Sequence, residues 1–209
     1  MKIAVIAANG RSGSEFVERA LARGHAIKAG VYGTSHFAEH ANLSVATCDA
    51  TDAKAVEELI GSCDAVASFI GHIKGSPGNV QSDAMRVVTE AMKKNGIKRI
   101  VSLTGTGVRF PGDTISVMDR LLNFAIKLID PARIKDGNDH VAVLKQSSLE
   151  WTVLRVLKLQ GNHLGSFLLT ESGPTKLFVS RRDVADAALQ VLEQEAFIRQ
   201  APILSRVDR

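Results

Sequence analysis

The 209 residues carry 26 Lys and Arg against 22 Asp and Glu, a formal net charge of +4, and 45% of them are hydrophobic. That balance suits one domain with a buried core and excludes a disordered or collagen-like chain. The basic residues are scattered, no apolar run nears the roughly 20 residues of a membrane span, and Cys48 and Cys63 are too few for a disulfide framework, so we expect a cytoplasmic protein with reduced thiols, a weak preference for anionic ligands, and no nucleic-acid or membrane partner.

In chain order, short apolar runs at 2–7, 26–32, 43–48, 64–70, 99–104 and 151–156 predict six strands. The stretches 12–23, 53–61, 80–95 and roughly 138–148 have helical spacing, as in Val87, Val88, Ala91 and Met92, and predict crossover helices. Gly24 and Gly96 stand where a left-handed residue stops a helix. Residues 167–180 predict two short strands around Glu171-Ser-Gly-Pro-Thr175, and Ser180-Arg-Arg-Asp183 has the form of a capping box that starts a last helix. Strand and helix alternation predicts an α/β fold with a parallel sheet. The loops 71–79 and 105–114 follow strand ends, where ligands bind in such sheets.

The segment Val5-Ile-Ala-Ala-Asn-Gly-Arg-Ser-Gly13 has the spacing of a G-x-x-G-x-x-G loop with Ala7 at the first glycine position. A strand that runs into such a turn and then a helix aims backbone N–H groups at an anionic pyrophosphate. Gly10 would allow close approach of the phosphate, Gly13 close packing of helix on strand, and Ala7 must make a turn that glycine makes more cheaply. An acidic residue usually holds the ribose 2′-hydroxyl of NAD, but the second strand ends in Tyr32-Gly33-Thr34-Ser35. Arg11, Thr34 and Ser35 would receive a 2′-phosphate, so NADP is expected, with NAD the alternative. Tyr32 is a candidate to lie against the adenine, and Asp49 either accepts a hydrogen bond from the adenine or serves as a helix-entry residue.

The segments NGRSG, CDATD, DAVASFIG, VVTEAMKKNGIKRIVSLTG, SSLEWTVLR and FVSRRDVADAALQVL span nearly the whole chain. Together they resemble the atypical short-chain dehydrogenase/reductases of the NmrA-like, NAD(P)H-binding type, a group that includes flavin reductase/biliverdin reductase B. The resemblance implies a Rossmann-type doubly wound parallel sheet over residues 1–209, NAD(P) along the strand ends, and a small C-terminal segment, roughly 157–180, closing a substrate pocket. It further implies that Asn9, Gly10, Arg11, Ser12 and Gly13 cradle the pyrophosphate, Asp49 and Ala50 flank adenine, Ile70 and Gly71 line the ribose, and Thr104 stands near the nicotinamide. This chain departs from the pattern at Ala7, at Tyr32 where an arginine often reads the 2′-phosphate, at Gly105 where flavin-reductase relatives keep a serine, and at Val156 where a proline is common.

Reduction of a ketone requires a proton donor, which this superfamily supplies from Tyr-x-x-x-Lys. The one tyrosine, Tyr32, is followed four residues later by His36. Flavins and quinones ask less, since their rings accept hydride while solvent supplies the proton. Thr104, Thr106 and His140 are the candidate catalytic helpers, against the plainer readings of Thr106 as a turn hydroxyl and His140 as a partly exposed helix histidine. His36 and His40 have zinc-like i, i+4 spacing but lack the H-E-x-x-H order, so no metal site is expected, and Lys158 is as well read as a surface lysine as a phosphate ligand. The expected function is hydride transfer from NADPH to a flavin-like or quinone-like acceptor. The alternative is a non-catalytic, NADP-binding redox sensor, with an isomerase or epimerase third.

Overall fold

Fourteen elements alternate along the chain in the computed structural model, which describes residues 1–73, 75–161, 165–175 and 178–206. The strands are β1 (Lys2–Ile6), β2 (Ala26–Val31), β3 (Leu43–Thr47), β4 (Ala65–Ser68), β5 (Arg99–Gly105), β6 (Glu150–Val156), β7 (Phe167–Thr170) and β8 (Ile203–Arg206). The helices are α1 (Arg11–Ala22), α2 (Ala53–Ile60), α3 (Val80–Lys94), α4 (Val117–Ile129), α5 (Pro131–Gln146) and α6 (Arg181–Glu193). They build one sheet in the order β3-β2-β1-β4-β5-β6-β8-β7, parallel except for β7.

Ile3, Ala4, Val5 and Ile6 are all buried because β1 lies mid-sheet with both faces covered. On one face Phe16, Val17 and Ala20 of α1 meet Val184, Ala188 and Val191 of α6. On the other, Val56 and Leu59 of α2, Val88 and Met92 of α3 and Leu144 of α5 close over Ile100 and Trp151. The chain runs outward from β1 through β2 to β3, then returns to lay β4 on the other side of β1. The β1/β4 boundary is therefore the switch point where a doubly wound sheet leaves a crevice beyond its strand ends.

Three parts differ from the sequence expectation. Helix α4 was not anticipated, and α5 begins at Pro131 rather than near residue 138, because Asp130 caps it and proline at the first turn is pre-shaped for a helix. Of the two strands expected in 167–180 the first is β7, but it pairs with β8, beyond α6. Lys176 and Leu177 lie outside the described residues, and Val179 makes an isolated parallel bridge to Leu159. The capping box at Ser180 and Asp183 forms as expected.

At the end of β6, Arg155 is the largest fully buried side chain. Its guanidinium grips Asp113 with two bonds of 2.5 and 2.8 Å and donates to the carbonyls of Val108, Glu171 and Ala201. Phe110 lies beneath it, 4.7 Å from ring centre to guanidinium carbon. Burial alone would raise the Asp113 pKa, but the Arg155 bond outweighs it and holds the carboxyl below the usual range. One side chain thus fixes the 105–114 loop to β6 and the chain after β7. Removing the cation while leaving the acid inside is expected to cost about 3–5 kcal/mol for Arg155→Met in urea unfolding. A loss under about 1 kcal/mol would show that the pair does not hold this end together.

Candidate dinucleotide site

The turn after β1 is made by Ala7 in the left-handed region, at φ 58°. An L residue pays roughly 1–2 kcal/mol there, which is the cost of lacking the first glycine. The turn is held by Gly10 N donating to Ala7 O at 3.1 Å and Ala8 N donating to Gly30 O at 2.9 Å. Gly13 has no freedom at all: a Cβ there would stand 2.3 Å from Ala7 O and 2.9 Å from Ala8 Cα. Only glycine lets α1 sit this close to the strand end. No side chain caps α1, and Ser14 N to Gly10 O, at 2.8 Å, is the first bond of its ladder. The amides of Arg11, Ser12 and Gly13 therefore precede the ladder and face the crevice with the positive end of the helix behind them. That cradle fits a pyrophosphate.

On the side of β2, Asn9 Nδ2 donates to the carbonyls of Tyr32 at 2.8 Å and Thr34 at 3.2 Å, tying the two loops together. Tyr32 is 68% exposed, and Thr34, Ser35 and Arg11 are open as well. Burial and then the neighbouring Arg11 guanidinium pull the Arg181 pKa below its ordinary value, so two cations meet where α1 and α6 begin. Asp49 is exposed and spends Oδ1 on the amide and hydroxyl of Thr51, while Asp52 caps α2. Ala50 packs on the core behind it. Cys48 is buried and free, and burial, then Asp49 and Asp52, push its thiol up to about 11.

Beyond β4, Ile70 O accepts from Gln81 Nε2 at 2.7 Å, and Gly71 is exposed with open space around it. Asn79 offers α3 no side-chain cap; Asp136 of α5 does so instead, accepting from the amides of Gln81 at 2.8 Å and Ser82 at 2.9 Å. His72 Nε2 completes its shell at 2.9 Å. Burial would raise the Asp136 pKa, and the bonds from Ser82 and Gln81 with His72 nearby overcome this and lower it.

Thr104 is buried, with its hydroxyl against Gly137, where a Cβ would come within 2.9 Å. Thr106, the second candidate helper, is buried, and its Oγ1 accepts from Asn123 Nδ2 at 3.2 Å instead of bonding its own turn. Asn123 also donates to Asp119 Oδ1 at 2.9 Å, and the buried Asp119 pairs with Arg109. His140 is neither partly exposed nor open to a ligand: it is 2% exposed and its Nε2 lies 3.0 Å from Ser102 Oγ. Burial, partly opposed by Asp136, pushes its pKa down to about 4. It is a neutral ring packed under the sheet, which removes it from proton donation to an acceptor. The 33–42 stretch is not helical, so His36 and His40 lack the spacing that suggested zinc; His40 Nδ1 accepts from Asn42 N, and His36 packs on Phe37. Lys158 lies over the Phe178 ring at 5.5 Å. Within the 157–180 segment, Asn162, His163 and Leu164 lie outside the described residues.

Asp136, Asn123 and Arg155 escaped the sequence reading. The i, i+4 spacing of Asp136 and His140 was a visible signal, placing two polar groups on the buried face of one helix.

A parallel sheet that reverses beside a glycine loop and an uncapped helix defines a dinucleotide-binding α/β protein. The chain belongs to the NAD(P)H-binding family, whose model matches residues 7–195. It is 24% identical over 223 residues to an uncharacterized chloroplastic protein of Arabidopsis thaliana, covering 99% of this chain and 78% of that one. Its fold is shared with a putative NADH-flavin reductase from Streptococcus pneumoniae, at 22% identity and a TM-score of 0.80 over 99% of this chain and 100% of that one. It is shared equally with an anaerobilin reductase from Escherichia coli, at 22% identity and a TM-score of 0.79 over 100% and 98% of the two chains. Among the described residues no helix is long and apolar enough to cross a membrane.

Two outcomes follow. Gly13→Ala is expected to abolish NADPH binding in a fluorescence titration, whereas Ala7→Gly keeps binding and gains about 0.5–1 kcal/mol of stability. Equal binding by both variants would contradict the cradle. His140, with its folded pKa depressed to about 4, contributes stability present above its unfolded value of 6.5 and lost as pH falls between the two. His140→Gln is expected to remove a slope of about 1.4 kcal/mol per pH unit from that window in unfolding measurements; an unchanged slope would show the imidazole charged in the folded protein.

Proposed function

We propose that the protein is an NADPH-dependent reductase that passes hydride to a flavin-like or quinone-like ring. The observation that carries this reading is the poverty of free acid–base groups among the described residues at the ends of β5 and β6, where Arg155 and Asp113 are bound to each other, Thr106 accepts from Asn123, Lys158 lies over Phe178, and Thr104 and Val156 carry no group that titrates near neutrality. Tyr32 follows β2, three strand positions from β5, or about 14 Å at the spacing of a sheet. His140 is enclosed and neutral. Among the described residues a carbonyl or alcohol substrate would find no tyrosine or free histidine here to donate its proton, whereas an electron-poor ring takes its proton from solvent.

When bound, the cofactor supplies the hydride. The chain's share is to hold and orient. The amides of Arg11, Ser12 and Gly13 would bind the pyrophosphate, the Asn9 bridge would keep the adenosine loop in place, and Ile70 and Gly71 would floor the ribose. Gly105 leaves a flat approach beside Thr104, since a Cβ there would meet nothing nearer than 3.9 Å. The two reductases of like fold, a putative NADH-flavin reductase and an anaerobilin reductase, favour the same class of acceptor. NADP is preferred in this reading because Arg11 is exposed at the loop, Arg181 stands near it, and no carboxylate follows β2 within 32–35.

Turnover is expected as NADPH oxidation with FMN, riboflavin or a quinone, lost in Gly10→Asp. Tight NADPH binding without turnover on any of these acceptors would instead make the protein a binding-only redox sensor. Arg11→Gln is expected to weaken NADPH about tenfold and leave NADH unchanged; equal loss for both cofactors would remove the 2′-phosphate preference.

A further inference from the structure

Helix α4 turns Asp119 and Asn123 inward, held by Arg109 and Thr106, while Leu122 and Ile126 are half-buried and most of its other apolar residues face away from the protein. Val117, Met118, Leu121, Phe124, Leu128 and Ile129 are between 43% and 85% exposed. These side chains open on the order of 700 Å² of apolar surface, above the ~300–600 Å² of the largest patch on an ordinary monomer and close to the ~800 Å² that each partner buries in a stable dimer.

From this we infer that the protein is a two-fold dimer whose partner on α4 is the α4 helix of a second copy. Val117, Leu121, Phe124 and Leu128 are spaced four, three and four residues apart, the seam along which one helix packs on another. An antiparallel pairing about the midpoint of that stripe sets Leu121 against the partner's Phe124 and Val117 against the partner's Leu128, so every contact is made twice, as a two-fold axis requires. The inward ion pair fixes the helix, so the stripe meets its mate without first being ordered. On the adjoining surface Arg133 pairs with Asp130 at 3.5 Å and Lys135 with Asp139 at 2.5 Å, while Arg120 and Lys127 of α4 are exposed with no ion pair among the described residues. The exposed area, close to what each partner buries in a stable dimer, carries the choice of a second copy, and the two cations make an anionic lipid surface the occupant to test against it.

The test is sedimentation equilibrium of the full chain with and without Leu121→Glu and Phe124→Glu. The wild type is expected at the mass of two chains at micromolar concentration, and each variant at the mass of one, with unchanged circular dichroism and NADPH affinity. A chain carrying Leu121→Cys mixed with one carrying Phe124→Cys should yield a disulfide-linked pair on oxidation. A wild-type monomer, or a dimer that both glutamate variants leave intact, would overturn the inference. So would a monomer that sediments with phosphatidylserine vesicles and is released from them by Phe124→Glu, since the face would then be a lipid-binding one.

Discussion

Everything about the proposed site depends on one close contact, that between Gly13 and the Ala7 carbonyl. The oxygen accepts the Gly10 amide and stands 2.3 Å from the place a Gly13 Cβ would take. That contact seats the start of α1 directly on the end of β1, beside the gap where the sheet reverses. Had the helix been held a further ångström or two away, its three free amides would no longer converge on one anion. Ala7 bears the cost, a left-handed backbone at φ 58°, and the surrounding strand and helix make that conformation obligatory.

The far wall of the crevice depends on buried charge. Among the described residues Asp113, Asp119 and Asp136 have buried carboxylates beside the loops and helices of this wall, and each is bound to a structural partner. Asp113 holds Arg155, Asp119 holds Arg109 and Asn123, and Asp136 caps α3 from the neighbouring helix. Buried charges are retained where they are paired and hydrogen-bonded, and these bonds position loops rather than move protons. His140 follows the same rule, being kept neutral beside Ser102. A site whose polar groups are consumed in this way is suited to aligning two flat rings, and poorly equipped to protonate an alkoxide.

The six strands of the parallel core and the cofactor loop were legible because their signals are local: continuous apolar runs, a glycine spacing, a capping box. The Ala7 turn was readable too, since only one residue separated the loop from its usual pattern. What escaped lies in contacts distant along the chain. β8 is four residues long and is recognisable as a strand only through β7 and β6. The role of Asp136 requires knowing that α5 meets the start of α3, and the purpose of Arg155 is visible only once the loop bearing Asp113 folds over it. The expectation that His140 is partly exposed failed for a related reason, since helical spacing says which residues share a face but not which face is buried.

In the proposed function the protein orients the reactants, and none of its described side chains supplies an acid or a base. The pH dependence of kcat for NADPH oxidation by riboflavin tests it most directly. A level profile is expected between about pH 6.5 and 9, where neither a neutral buried imidazole nor a threonine titrates. A limb governed by a single protein group in that range, abolished by replacing that group, would contradict it.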